Sequence, residues 1–211
     1  MIDYWIIYHE RLFIAFIEHL KLVLISLIIS IFVTIIIILI VGNKNKILQG
    51  FIYFFSTLYA IPSYAFFALL IPFLGLGTST AVIVLSLYSI YILLRTFSTG
   101  IKEIDPFLIE TAVGMGMTGN QVFYKIQLPL ATKSIFSGIK LATTSIISIA
   151  TIAATINAGG LGSILFDGLR TQSLIKLAWG SLLAVLLCVI LSFFLSLVEK
   201  LTLKKLGLEE L

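Results

Sequence analysis

The chain has 211 residues, of which 60% are hydrophobic and 11% are charged, and its mean hydropathy is +1.16. Soluble domains average about 45–50% apolar and about 25% charged residues, so this composition excludes a soluble globular protein and indicates a polytopic membrane protein. The formal net charge of +4 is small and is better explained by loop topology than by nucleic-acid binding. Because no polar block is long enough to fold separately, we predict a single transmembrane domain over residues 1–211, embedded in the lipid bilayer.

The first 21 residues have an amphipathic helical pattern. On a helical projection their charged side chains fall within an arc of about 100°, and these residues are Asp3, Glu10, Arg11, Glu18 and Lys21. Large apolar side chains occupy most of the remaining surface. The pattern predicts a helix over residues 1–21 that lies in the membrane interface.

Charge-free apolar runs mark the membrane spans, since about 20 residues are needed for one crossing. They predict an all-α membrane protein with five transmembrane helices, at residues 22–43, 50–72, 79–98, 134–156 and 177–198. Pro62 falls inside the second of these and should kink it. The kink either improves helix packing or shapes a translocation cavity, and the sequence leaves both explanations open.

The distribution of lysine and arginine predicts the orientation, because cytoplasmic loops carry an excess of positive charge. Ten of the 14 lie on or near the side of the polar segment 104–129, and only Arg11, Lys21, Arg170 and Lys176 lie opposite. We therefore expect the N-terminus outside and the C-terminus in the cytoplasm.

Residues 104–129 are too polar to lie in lipid and too long for a tight turn, and such loops are usually functional when ordered. Asp105-Pro106 and Thr118 are helix-start signals, so we predict short helices at 105–115 and 118–126. Gly114–Gly119 reads GxGxxG, but it lacks the preceding strand and the later acidic residue of a dinucleotide site. An apolar-faced helix presented to solvent favours insertion into a groove of a partner.

Enzyme chemistry is not indicated. The chain has no GxxxxGK[ST] phosphate-binding loop, and no nucleophile–base arrangement is credible. His9 and His19 are ten residues apart, which does not stack them on one helix face, so no metal site or other cofactor is predicted. The near absence of ionisable groups at mid-depth also argues against a proton- or sodium-coupled transporter. An intramembrane enzyme and a plain membrane anchor are the other rival interpretations.

Within the polar segment, Glu110-Thr111-Ala112, Gly116 and Ile126-Gln-Leu128-Pro129 keep the spacing of the EAA signature, with Thr111 in place of the first alanine. The chain therefore resembles the permease subunits of ABC importers, type I. The resemblance implies that cytoplasmic ABC ATPases bind this loop as coupling helices. It implies ATPase-coupling roles for Glu110, Thr111, Ala112, Gly114, Gly116, Met117, Ile126, Leu128 and Pro129.

The same resemblance implies a bacterial inner-membrane location and further partners. These are a second permease subunit, in a homodimer or as a sister chain, and an extracytoplasmic substrate-binding protein. Hydrolysis of ATP is expected on the ATPase chains, so the permease itself is not an enzyme.

Several segments between residues 50 and 172 resemble the osmoprotectant permeases for glycine betaine, carnitine and choline. They include Ile61-Pro62-Ser63, the run from Leu70 to Gly77, and the AGGLG run 158–162. Residues 91–100 read YILLRTFSTG where those permeases usually read LPI-x-RNTYTG. Methionine-type importers share the AGGLG-like run, so an amino acid or related small zwitterion is the alternative substrate.

Candidate residues for the substrate path are Pro62, Tyr64, Tyr88, Asn157, Gly159 and Gly160. Aromatic rings in this region suit a quaternary ammonium group through cation–π attraction. Simple packing or lipid-facing roles for the same aromatics remain an alternative.

Overall fold

A computed structural model describes residues 1–42 and 44–208, without the side chain of Asn45, and every regular element in this part of the chain is helical. The α-helices are α1 (Ile2–Val41), α2 (Asn45–Tyr59), α3 (Ser63–Leu74), α4 (Thr78–Lys102), α5 (Pro106–Gly114), α6 (Gly119–Val122), α7 (Leu128–Leu130), α8 (Thr132–Ile152), α9 (Leu161–Arg170) and α10 (Leu174–Leu206). A π-helical turn at Phe123–Gln127 joins α6 to α7, and a 3-10 turn at Ala153–Ile156 extends α8.

The predicted all-α membrane fold is confirmed. Four described helices, α1, α4, α8 and α10, are long and apolar enough to cross a bilayer, and the bent pair α2–α3 makes a fifth span if counted as one. The connector between the fourth and fifth predicted spans contains a further short helix, α9. The last span is longer than the predicted 177–198, because α10 has 33 residues.

The predicted division between an interfacial helix at 1–21 and a span at 22–43 is wrong. α1 is one continuous helix of 40 residues. Residues 2–41 contain no glycine or proline, so the surface pattern changes near Lys21 while the backbone continues. Leu12 and Ala15, in the first half of α1, are buried against α9 and α10. This half of α1 therefore packs on the protein.

The second predicted span is broken where a kink was expected. The chain bends by 94° between α2 and α3, and Pro62 directly precedes α3. Proline lacks an N–H and disfavours helical geometry in the residue before it, here Ile61, so two helices form instead of one kinked helix. The carbonyl of Ile61 accepts a hydrogen bond from the Tyr88 hydroxyl of α4.

α4 and α8 form the centre of the bundle and cross closely through small residues. A Cβ atom on Gly138 of α8 would overlap the Thr96 hydroxyl of α4, and one on Gly100 of α4 would overlap Ser134 of α8. Small residues at helix crossings allow close backbone approach in membranes, where the contact is stabilised by van der Waals packing. α1, α2 and α3 then pack on α4, and α10 packs on α8 and α9.

A sharp turn at the other end of α8 redirects the chain into α9. Asn157, Gly159 and Gly160 all have positive φ angles, of 63°, 77° and 76°. The turn brings α9 so close to α8 that a Cβ atom on Gly162 would overlap the backbone carbonyl of Thr151. Backbone atoms cannot swing aside as a flexible side chain can, so this contact requires glycine.

We expect Gly162→Ala to destabilise the protein by about 1–3 kcal/mol, because overpacking a close contact forces backbone shifts. The measurement is the apparent melting temperature of the detergent-solubilised protein. Gly50→Ala is the matched control, since no atom lies within 4 Å of its Cβ position and its φ is ordinary. Equal melting temperatures for the two variants would contradict the close α8–α9 contact.

Candidate functional site

The polar segment 104–129 lies at the end of the bundle where α1 and α4 finish. The Tyr124 hydroxyl donates a hydrogen bond to the carbonyl of Leu39 in α1, at 3.3 Å. The Phe123 ring packs edge-on against Phe97 of α4, with ring centroids 6.4 Å apart. The segment is therefore anchored to two long helices.

Its two helix starts form as the sequence predicts. The Asp105 carboxylate accepts a hydrogen bond from the Phe107 N–H at 2.9 Å, and Pro106 is the first residue of α5. The Thr118 hydroxyl accepts from the Gln121 N–H at 3.3 Å, and the Gln121 side chain accepts from the Thr118 N–H at 2.8 Å. This reciprocal pair is a capping box, which satisfies two otherwise free N–H groups at the start of α6.

The end of the segment differs from the prediction that the second short helix ends at residue 126. α6 ends at Val122, and the π-helical turn carries the chain on into α7, so that Pro129 lies within helical backbone. The Leu128 N–H bonds to the carbonyl of Phe123, five residues back. Proline has no N–H to donate to the carbonyl four residues back, and its ring crowds that carbonyl. The wider π-helical turn accommodates both effects.

The residues of the EAA-like pattern have different environments. Glu110 and Thr111 are exposed, whereas Ala112 is buried. The Thr111 hydroxyl donates to the Phe107 carbonyl of its own helix at 2.8 Å, so threonine is accommodated where the pattern has alanine. Gly116 has φ +84° and open space around its Cβ position, so its backbone conformation rather than crowding favours glycine.

Apolar side chains on and beside α5 face outward with no cover from the described chain. We call Phe107, Leu108, Val113 and Met115 the docking patch; Phe107 is 70% exposed and Met115 is 72% exposed. The patch lies outside the four helices long enough to span a bilayer, on a short segment with polar residues around it. Exposed apolar groups in this setting are suited to burial in a groove of a partner protein.

A second feature, between α4, α8 and the end of α2, is a polar cleft of about 450 Å³. Its wall includes Tyr59, Tyr91, Arg95, Thr99, Ser134 and Ser137. Arg95 is one of the ten basic residues that predict the orientation, and the cleft itself was not predicted. One sequence signal could have predicted it: Tyr91, Arg95 and Thr99 are four residues apart, which places them on one helix face.

The structure does not gather the six predicted path residues into one site. Tyr64 is exposed on α3, whereas Tyr88 is buried and bonded to the break beside Pro62. Tyr88 also packs edge-on against Tyr59 at the margin of the cleft, with ring centroids 5.3 Å apart. Pro62 and Tyr88 thus lie near the cleft but do not line it.

The other three path residues lie at the opposite end of α8. Asn157 is exposed, and Gly159 and Gly160 contact α1. The Gly160 N–H donates to the Glu18 carboxylate at 2.9 Å, next to the buried ring of His19. In this conformation the glycines hold α1 to the start of α9.

Ion pairs join α1, α9 and α10 at that same end. Asp167 of α9 accepts from Lys176 at 3.0 Å and from Arg11 at 3.2 Å. The hydrogen bond from Lys176 lowers the pKa of the Asp167 carboxyl, outweighing partial desolvation, and the charge of Arg11 adds to the effect. The carboxylate therefore stays ionised at neutral pH and keeps the three helices connected.

Comparison with known proteins identifies the family and the fold of the chain. The family model described as "Binding-protein-dependent transport system inner membrane component" matches residues 34–206. The chain is 34% identical over 182 residues to the carnitine transport permease protein OpuCB of Listeria monocytogenes, covering 86% of this chain and 84% of that protein. It is 34% identical over 183 residues to the glycine betaine/carnitine/choline transport system permease protein OpuCB of Bacillus subtilis, covering 87% and 84%.

Among solved structures, an inward-facing conformation of the MetNI methionine ABC transporter matches with a TM-score of 0.79 at 18% identity. The match covers 91% of this chain and 96% of that one. At this identity the likeness concerns the fold alone.

We expect Thr118→Ala to loosen the start of α6, because loss of an N-cap hydroxyl costs about 0.5–2 kcal/mol. Hydrogen exchange of the amides in residues 119–127 should then be roughly 2- to 30-fold faster. Thr118→Ser is the matched control, since it keeps the hydroxyl that accepts from Gln121. Unchanged exchange in Thr118→Ala would show that the capping box does not hold this segment.

Proposed function

Because the chain belongs to the binding-protein-dependent transport system inner membrane components, which are permease subunits of ABC importers, we propose that it imports a quaternary ammonium osmoprotectant. Glycine betaine, carnitine and choline are the candidate substrates. The observation that carries this proposal is the match to two permeases of that substrate class over more than four-fifths of each chain. Methionine or a related small zwitterion is the alternative, because methionine-type importers share the AGGLG-like run 158–162.

The family implies ATPase and substrate-binding protein partners, and we propose where the ATPase binds. The docking patch inserts into a groove of a cytoplasmic ABC ATPase. Glu110, Thr111, Gly114 and Met117 border the patch, and Gly116 turns the chain between α5 and α6. Ala112 seats α5 on the bundle, while Ile126, Leu128 and Pro129 form the connection to α8.

The proposed orientation puts the docking patch and the C-terminus in the cytoplasm and the N-terminus outside. The ion pair between Lys140 and Glu199, at 2.5 Å, supports this arrangement, because it joins the first part of α8 to the last part of α10. α10 therefore ends on the side where α8 begins, which is the side of the docking patch. Lys204 and Lys205 then add positive charge to the cytoplasmic side.

We propose that two permease subunits, identical or sister chains, enclose the substrate path. Closure of the ATPases moves the docking patch, and the nearly unbroken helical backbone from α6 to α8 carries that movement to the centre of the bundle. The helices then alternate between outward and inward access. Pro62 and Tyr88 shape the inner wall, Tyr64 lies on the exposed face of α3, and Asn157, Gly159 and Gly160 act at the outer end.

The substrate is tested by reconstituting the chain in proteoliposomes with the ATPase and the binding protein encoded beside it. We expect ATP-dependent uptake of labelled glycine betaine, carnitine or choline at least about tenfold faster than that of methionine, a discrimination of about 1.4 kcal/mol. Preferential uptake of methionine would instead support the alternative substrate.

The docking site is tested by Met115→Glu. Because Met115 is 72% exposed, the substitution should leave the permease folded, but it would bury an unpaired carboxylate in the proposed interface. We expect at least about tenfold less ATPase to co-purify with this variant. Lys204→Glu, an exposed residue at the end of α10, is the control and should retain the ATPase. Equal ATPase recovery with both variants would place the interface elsewhere.

A further inference from the structure

The polar cleft between α4 and α8 contains a guanidinium group without an anionic partner. Arg95 is exposed toward the cleft, and its Nη1 donates to the Tyr91 hydroxyl at 2.5 Å. Its Cζ atom lies 5.9 Å from the centre of the Tyr91 ring. Among the described residues, no carboxylate is within ion-pair distance of Arg95.

The nearest acidic residue on the same helix face is Glu103, which also lines the cleft. It is eight residues farther along α4, about 12 Å along a helix axis, too far for a direct ion pair. Unlike Arg95, Lys140 of α8 has an anionic partner, because its ammonium group pairs with the Glu199 carboxylate at 2.5 Å. An unpaired ionisable group within a membrane span is costly and usually serves substrate or ion movement.

We propose that Arg95 binds the carboxylate of the transported solute and that Tyr59 and Tyr91 face its ammonium end. A guanidinium presents a planar fork of N–H donors that matches a carboxylate, and such charged pairs are the stronger hydrogen bonds. Tyr59 and Tyr91 have ring centroids 4.8 Å apart and stand beside the fork, where aromatic faces attract a cation. The substrate class is thus a carboxylate-bearing zwitterion.

The inference rests on the proposed importer function and narrows its substrate. Carnitine and glycine betaine carry both a carboxylate and a quaternary ammonium group, and both complement this cleft. Choline has the ammonium group but an alcohol in place of the carboxylate. Choline offers Arg95 only a neutral hydroxyl acceptor, and the guanidinium repels its positive charge, so the cleft discriminates against choline.

The test compares Arg95→Gln, Arg95→Lys and the unaltered chain in the complete complex with ATPase and binding protein. Uptake of labelled carnitine and of labelled choline is measured at saturating binding protein, together with ATP hydrolysis. We expect the carnitine-to-choline uptake ratio to fall at least about tenfold in Arg95→Gln, the loss that matches one charged hydrogen bond. Arg95→Lys keeps the charge but not the fork and should give an intermediate ratio.

Lys200→Gln is the matched control, because it removes one exposed positive charge from α10, outside the cleft, and should leave the ratio unchanged. ATP hydrolysis stimulated by the binding protein should be alike in all four proteins. An unchanged ratio in Arg95→Gln, whether from no loss or from equal loss of both solutes, would overturn the inference and leave the importer function intact. If the unaltered chain transports methionine instead, the proposed quaternary ammonium substrate is wrong. The role of Arg95 is then tested by comparing the uptake of methionine, which has a carboxylate, with the uptake of methionine amide, which has none.

Discussion

The close crossing of α4 and α8 is the contact on which the rest of the structure depends. Gly138 against Thr96 and Gly100 against Ser134 leave only one small side chain between the two backbones at each contact. In a bilayer the lipid is as apolar as the helix surface, so close packing of small groups has to stabilise this contact. The crossing also decides the form of the polar cleft, since both helices contribute to its wall.

The docking patch and the cleft are joined through α8. α6, the π-helical turn and α7 lead into α8 with helical backbone nearly throughout, interrupted by a turn at Ala131. Residues 115–118, between the docking patch and α6, are not helical, so a displacement of α5 reaches this helical path through one short turn. The π-helical turn before Pro129 is the place in the path where the regular hydrogen-bond pattern changes.

Local signals in the sequence predicted the helix starts of the polar segment 104–129, whereas features that depend on contacts between distant residues were missed. Asp105 and Thr118 act through hydrogen bonds to residues two or three positions away, so their capping roles can be predicted from sequence. The charge pattern near Lys21 predicts a boundary that α1 does not have, and the absence of glycine and proline from residues 2–41 was the better signal. The burial of Leu12 and Ala15 depends on α9 and α10 and could not be predicted from the local sequence. The cleft likewise exists only where α2, α4 and α8 meet, so no single segment of the sequence predicts it.

The break between α2 and α3 links the fold to the chemistry of the cleft. A break at membrane depth frees backbone carbonyls, and such breaks are tolerated only where protein or a water-filled cavity meets them. Here the Tyr88 hydroxyl donates a hydrogen bond to the carbonyl of Ile61, while the Tyr88 ring contacts Tyr59, the last residue of α2. Tyr59 in turn contacts Tyr91, which holds Arg95. The break at Pro62 thus follows Tyr59 directly, and the ring of Tyr59 forms part of the cleft wall together with Tyr91 and Arg95. The same interruption that costs backbone hydrogen bonds therefore helps to form a site with both an aromatic and a cationic side.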